Sequence, residues 1–241
     1  MSRETTKRVC APICCPAIAI RRPRPGMAWV IVALGTIIPT AVSAGTGVPD
    51  EQLWTELDVI APVADNTTIT GIGQLRLSES LNNPILTALG ADLNYKTGEW
   101  TLGVGYRHEV TGNRQGEEPD VTQAVRLPAT WTRRFGRSTV AIRTMLQNTL
   151  TAQSNPWRLR LRAEYRWATE GWGPISYLYT NDEVFYMFAD NEFWRNRFQA
   201  GLNLRCAEHT SLRLYYQRQD SKDQTPGAIN ALGVLAVIDL D

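Results

Sequence analysis

Five ionisable side chains stand at every second position of one short segment: Arg158, Arg160, Arg162, Glu164 and Arg166. Guanidinium groups in a row can hold an anionic solute by forked hydrogen bonds, or pair with carboxylates into a closed network. The same spacing recurs at Arg195 and Arg197, with Arg205 further along, and Arg76, Arg107, Arg143 and Arg213 occupy equivalent places in other segments. Glu56, Glu109, Glu164 and Glu183 are the acids available to neutralise them. The residues between the charges are apolar: Leu159, Leu161, Ala163, Tyr165 and Trp167 fill the gaps of the longest row. A β-strand sends alternate side chains to opposite faces, so each segment reads as a strand with one apolar and one ionic face.

Catalytic alternatives are thin. Beyond residue 44 there are two histidines, His108 and His209. In a regular strand His108 faces away from its neighbour Glu109, and His209 falls in a short turn. No serine stands in a nucleophile motif, and no spacing of His, Cys, Asp or Glu fits a metal. Only Cys206 lies beyond residue 44, which leaves no cysteine pair for a disulfide. No cofactor and no metal are expected. Six of the 25 basic side chains but one of the 24 acids lie in residues 1–44, so the remainder is net acidic and gives no electrostatic reason to bind nucleic acid.

The alternating segments fall near 51–60, 67–79, 85–96, 99–110, 121–132, 138–148, 157–168, 174–186, 193–206, 210–220 and 229–240. Most match the roughly 9–11 residues that a tilted strand needs to cross a bilayer, against five or six in soluble sheets. Connections alternate between short (61–66, 96–99, 133–137, 169–173, 207–209) and longer polar ones (80–84, 111–120, 149–156, 187–191, 220–227). Tyr95, Trp100, Trp131, Trp167 and Trp172 gather at the short turns, and Trp157, Phe188, Phe193 and Trp194 at the long loops, as interfacial aromatic belts would. These signals predict an all-β, antiparallel up-and-down transmembrane β-barrel of about ten to twelve strands. Eleven segments sit awkwardly with the even number usual in single-chain bacterial barrels. An odd count would start the first strand on the side of the long loops.

The chain opens with a basic stretch, then the apolar run Met27–Ile38, Pro39, and the small residues Ala41-Val42-Ser43-Ala44 before Gly45. That order predicts a secretory signal peptide over 1–44, cleaved between Ala44 and Gly45, with translation starting at Met1 or Met27. A run of about a dozen apolar residues is too short to span a bilayer as a helix. The barrel is then residues 45–241.

Gln52-Leu53-Trp54-Thr55-Glu56-Leu57, Gln74-Leu75-Arg76 and Gly105-Tyr106-Arg107-His108 occur in order, followed by the Arg158–Arg166 row, Asn181-Asp182-Glu183-Val184-Phe185 and Trp194-Arg195-Asn196-Arg197. In these the chain resembles the bacterial outer-membrane barrel family catalogued as domain of unknown function 2490, over roughly residues 51–240. It departs where relatives carry a Glu-His-Arg cluster: Val121 to Arg126 keeps only the arginine. The resemblance implies a fold and an outer-membrane location, with no activity to carry over.

With lipid outside, the ionic faces must point inward. Arg76, Arg107, Arg143, Arg158, Arg160, Arg162, Glu164, Arg166, Glu183, Arg195, Arg197, Arg205 and Arg213 would then line the lumen. Such a lining either closes on itself through ion pairs or leaves a narrow passage or pocket for small anionic solutes. The expected partners are membrane lipid and the outer-membrane insertion machinery. Two other readings stay open: an outer-membrane enzyme acting on lipid or envelope substrates, and a soluble periplasmic ligand-binding barrel with the apolar faces inside.

Overall fold

A computed structural model describes residues 49–78, 84–112, 119–151, 155–222 and 227–240. The predicted signal segment with its cleavage site, and part of most long loops, lie outside these residues. The described chain forms eleven strands: β1 (Asp50–Ala64), β2 (Thr67–Leu77), β3 (Pro84–Thr97), β4 (Trp100–Thr111), β5 (Asp120–Phe135), β6 (Ser138–Leu150), β7 (Trp157–Ala168), β8 (Ile175–Met187), β9 (Glu192–Ala207), β10 (Thr210–Ser221) and β11 (Ala228–Asp239). Each pairs with its sequence neighbours, and β1 pairs with β11 to close the barrel. No helix among the described residues is long and apolar enough to cross a membrane, which has no bearing on a barrel that crosses with strands.

The odd count is real and has a geometric consequence. Successive hairpins reverse direction, so the first and eleventh strands run the same way. The seam between them is accordingly parallel, in unbroken register from Asp50 against Ile229 to Ile60 against Asp239, while every other pair is antiparallel. β1 starts at the rim of the long loops, as the loop alternation requires of eleven strands.

Several strands outrun the alternating segments. β1 continues to Ala64 through an irregularity at Pro62, and β5 continues to Phe135. Near the turns both faces of a strand meet water, so the apolar–polar alternation fades before the backbone pairing does. The turns themselves are tight: Asn66, Gly98 and Gly136 adopt φ of 63°, 59° and 61°. A Cβ on Gly98 or Gly136 would meet nothing within 4 Å, so glycine serves there for its left-handed backbone and not for space.

Side-chain orientation decides between a membrane barrel and a soluble one. Leu89 is 71% exposed and Leu232 65% exposed, with Leu93, Val104, Leu127, Ile142, Leu161 and Leu214 also facing outward. Trp54, Glu164, Glu183 and Gln217 are each 2% exposed or less. The greasy faces look out and the ionic faces look in, which is the construction of a membrane-spanning barrel and the opposite of a soluble one. The outward face is not uniformly apolar, however. Asp182 accepts a hydrogen bond from Asn196 Nδ2 at 2.8 Å between β8 and β9, and Arg218 pairs with Asp220 at 3.0 Å near the loop end of β10. Pairing lowers the cost of placing such groups on that surface.

Candidate functional site

The interior holds a cavity of about 530 Å3 lined by ten arginines and five carboxylates. Alternation along β7 and β8 builds its strongest feature. Glu183, fully enclosed, receives Arg160 through both oxygens, with Nε at 3.1 Å from Oε1 and Nη2 at 2.9 Å from Oε2. Arg143 from β6 reaches Oε1 at 2.6 Å, and Arg197 from β9 stands 3.7 Å from Oε2. One carboxylate thus serves three guanidinium groups from three strands. Two strand positions along, Phe185 offers its ring to Arg160, Arg197 and Arg195 at 4.7, 5.1 and 5.8 Å.

A second arginine–aromatic stack lies on the seam side. Arg76 sits 3.6 Å over the Trp54 ring and Arg197 lies 5.0 Å from it. Trp54 donates its Nε1 hydrogen to Gln52 at 2.6 Å, which satisfies an indole that is 1% exposed. The backbone makes room for this layer at Gly233, opposite both Tyr215 and Trp54 in the ladders. A Cβ there would fall 2.0 Å from the Tyr215 ring.

Nearer the short turns, Glu164 binds Arg166 and lies 3.9 Å from Arg162, while Arg213 covers Tyr177 and Tyr179 at 5.7 and 5.6 Å. Amide side chains bridge the space between: Asn181 donates to Gln199 at 2.9 Å and Gln199 to Gln217 at 2.6 Å. Arg107 holds Glu109 at 2.7 Å and donates to Gln74, whose Nε2 reaches Glu56 at 3.0 Å. Arg158 donates to Thr149 at the loop end.

Of the thirteen residues assigned inward by their spacing, Arg76, Arg107, Arg143, Arg158, Arg160, Arg162, Glu183, Arg195, Arg197 and Arg213 border this cavity. Glu164 and Arg166 form their pair on the same side of β7. Arg205 shares their face on β9 but sits exposed beside the turn, outside the cavity. Tyr95, Trp100 and Trp172 are exposed at the turn end and Trp157 at the loop end. There Trp100 pairs with Trp131 across β4 and β5, and Trp167 meets Trp172 edge-on at 5.7 Å.

Trp194 departs from its expected outward place. The β8–β9 register slips between Phe185 and Tyr186, which leaves Trp194 as the extra residue of a bulge. Its ring packs edge-on to the enclosed Phe185 at 6.3 Å, while Phe188 and Phe193, expected in the same belt, are exposed at this rim.

Sequence reasoning missed Trp54, Phe185, Asp58, Asp92, Tyr179 and Tyr215, and did not count Arg126, all of which line the cavity. The signal was parity: Asp58 and Trp54 share it with Glu56, and Phe185 shares it with Glu183. An aromatic in a membrane strand reads as lipid-facing by default, which hid Trp54 and Phe185. Arg126 and Asp92 form a 2.6 Å ion pair from β5 to β3 across the intervening β4, through Gly105. A Cβ on Gly105 would fall 1.7 Å from Asp92 Oδ1, so this bridge requires glycine between its partners.

The two histidines stand apart on the outside of the barrel and at its turn end. His108 faces outward in a shallow apolar groove with Leu57, Leu75 and Leu89, while Glu109 faces inward; His209 is exposed in the β9–β10 turn. Among the described residues no group of His, Cys, Asp and Glu could hold a metal.

A closed barrel with a lipid-compatible exterior and an ionic interior is the class that this fold and site define. The chain belongs to the family described as Protein of unknown function (DUF2490), which matches residues 51–230. No curated protein matches it in sequence. Among solved structures it is similar to an anion-selective porin from Comamonas acidovorans, at 10% identity and a TM-score of 0.38, over 73% of this chain and 54% of the porin. The chain thus spans about half the length of that porin.

Proposed function

We propose that the protein is exported through a cleaved signal peptide over residues 1–44, is placed in the outer membrane by the insertion machinery, and serves there as a narrow, anion-favouring channel. The observation that carries this reading is the cavity's charge: ten arginines against five carboxylates, inside a wall whose outer face suits lipid. In a confined, partly dry interior, an excess of fixed positive charge raises the local concentration of anions and repels cations. The guanidinium groups also offer forked donors to carboxylate, phosphate or sulfate groups. Ion pairs around Glu183 and Glu164 fill much of the cross-section, so the passage suits small solutes.

Planar-bilayer recording of the refolded barrel under a salt gradient tests this. Discrete small conductances with a reversal potential displaced toward that of the anion are expected. A silent membrane, or a cation preference, overturns the channel reading. Recovery of the native protein from the soluble periplasm without detergent overturns the outer-membrane location.

A further inference from the structure

The charges around the cavity are not mixed evenly. Glu56 and Asp58 stand side by side on the inner face of β1, while the arginine row of β7 and those of β9 stand on other walls. In a ring of eleven strands the positions farthest from β1 are β6 and β7. The two β1 carboxylates are also the ones that no arginine meets in a direct ion pair among the described residues. Glu56 is met by the Gln74 amide, and Asp58 Oδ1 is buried without any hydrogen-bond partner. Glu109, Glu183 and Asp92, by contrast, are each in direct ion pairs. Three arginines have no carboxylate paired to them among the described residues: Arg158, on β7 opposite β1, donates to Thr149, Arg76 on the adjacent β2 donates to Gln74, and Arg213 on β10 covers tyrosine rings. Ile60, Ile72, Leu86 and Leu235 complete the lining around β1.

The geometry points to a binding site for a small zwitterion: a solute with an ammonium group directed at Glu56 and Asp58 on β1, an anionic group directed at Arg158 across the lumen on β7, and an aliphatic span between them. An excess of arginine alone would favour any anion. Unsatisfied groups of both signs across one cavity favour a molecule that carries both, because each end then meets a partner that the protein itself does not supply. The cavity of about 530 Å3 is of a size that takes such a molecule, since ordinary small-ligand pockets occupy about 300–1,000 Å3. This inference rests on the reading of the lumen as a place that accepts anionic groups, and it narrows the class of solute.

Three six-carbon probes separate the possibilities: 6-aminohexanoate, adipate and 1,6-diaminohexane, titrated calorimetrically into the refolded full barrel in detergent, with conductance recorded on the same preparation. The expected result is that 6-aminohexanoate binds about tenfold or more tightly than either of the others, a gap of about 1.4 kcal/mol. The Glu56→Gln/Asp58→Asn double variant should lose that preference and turn toward adipate, with Asp58→Asn alone as the milder change. Adipate binding as tightly as 6-aminohexanoate to the unaltered barrel overturns the zwitterion site and leaves a plain anion channel. Preference for the diamine, or no binding of any probe, overturns the site as well. Tight 6-aminohexanoate binding by a barrel that conducts nothing supports the site and rejects the channel.

Discussion

The wall formed by β6 to β9 and the wall formed by β11, β1, β2 and β3 enclose the same lumen in different ways. On the first, long side chains meet across strands and finish their hydrogen bonding on one another: Glu183 alone engages Arg143, Arg160 and Arg197. On the second, the inward residues include Ala88, Gly90, Ile72, Ile60, Leu235 and Gly233, and the carboxylates of β1 form no direct ion pair with an arginine among the described residues. The lesson is that one barrel can divide its labour. A dense ionic wall fixes shape and sign, and a smoother wall with unfinished polar groups leaves the space in which a solute can sit.

The largest test of that contrast is Glu183→Gln. It strips a shared carboxylate from three enclosed guanidinium groups and should lower stability by about 3–5 kcal/mol, read from urea unfolding in detergent micelles. Glu56→Gln on the opposite wall should cost less than about 1 kcal/mol, because its partner is a neutral amide. Equal losses would erase the distinction between the walls.

On the outside the walls should behave alike. Leu89→Arg on β3 and Leu161→Arg on β7 each place a guanidinium against lipid and should each cost about 2–4 kcal/mol, measured by folding into bilayers of defined thickness. Indifference to both substitutions would show that the outer face does not meet hydrocarbon.

A smaller effect is expected at Gly233→Ala, where the new methyl must push the Tyr215 ring aside. Stability should fall by about 1–3 kcal/mol, and Tyr215→Leu in the same chain should recover part of it. The smallest is Asp58→Asn. Removing a carboxylate whose Oδ1 is buried without a partner should leave stability unchanged or raise it by up to about 1 kcal/mol, in the same unfolding assay.

The dense wall was the legible one. Arg158, Arg160, Arg162, Glu164 and Arg166 alternate with Leu159, Leu161, Ala163, Tyr165 and Trp167, and such contrast fixes both the strand and its facing. The smoother wall carries weaker contrast: in Ile69-Thr70-Gly71-Ile72-Gly73 the inward and outward residues differ little in polarity, and Asp58 stands among apolar neighbours. The Arg126–Asp92 bridge joins residues 34 apart, and only the folded ladder brings them across Gly105. The bulge that turns Trp194 inward adds one residue to a strand whose hydrophobic pattern cannot count it.

The parallel seam reaches beyond this one molecule. Barrels of this kind are enlarged or trimmed most simply by gaining or losing whole hairpins, and a hairpin always brings two strands. An ancestor or descendant reached by such steps would keep an odd total, and with it a seam whose two strands run alike. The same seam bars a circular permutant joined by a short loop. Asp50 and Asp239 lie at opposite rims, so any peptide tying β11 back to β1 would have to traverse the full height of the wall.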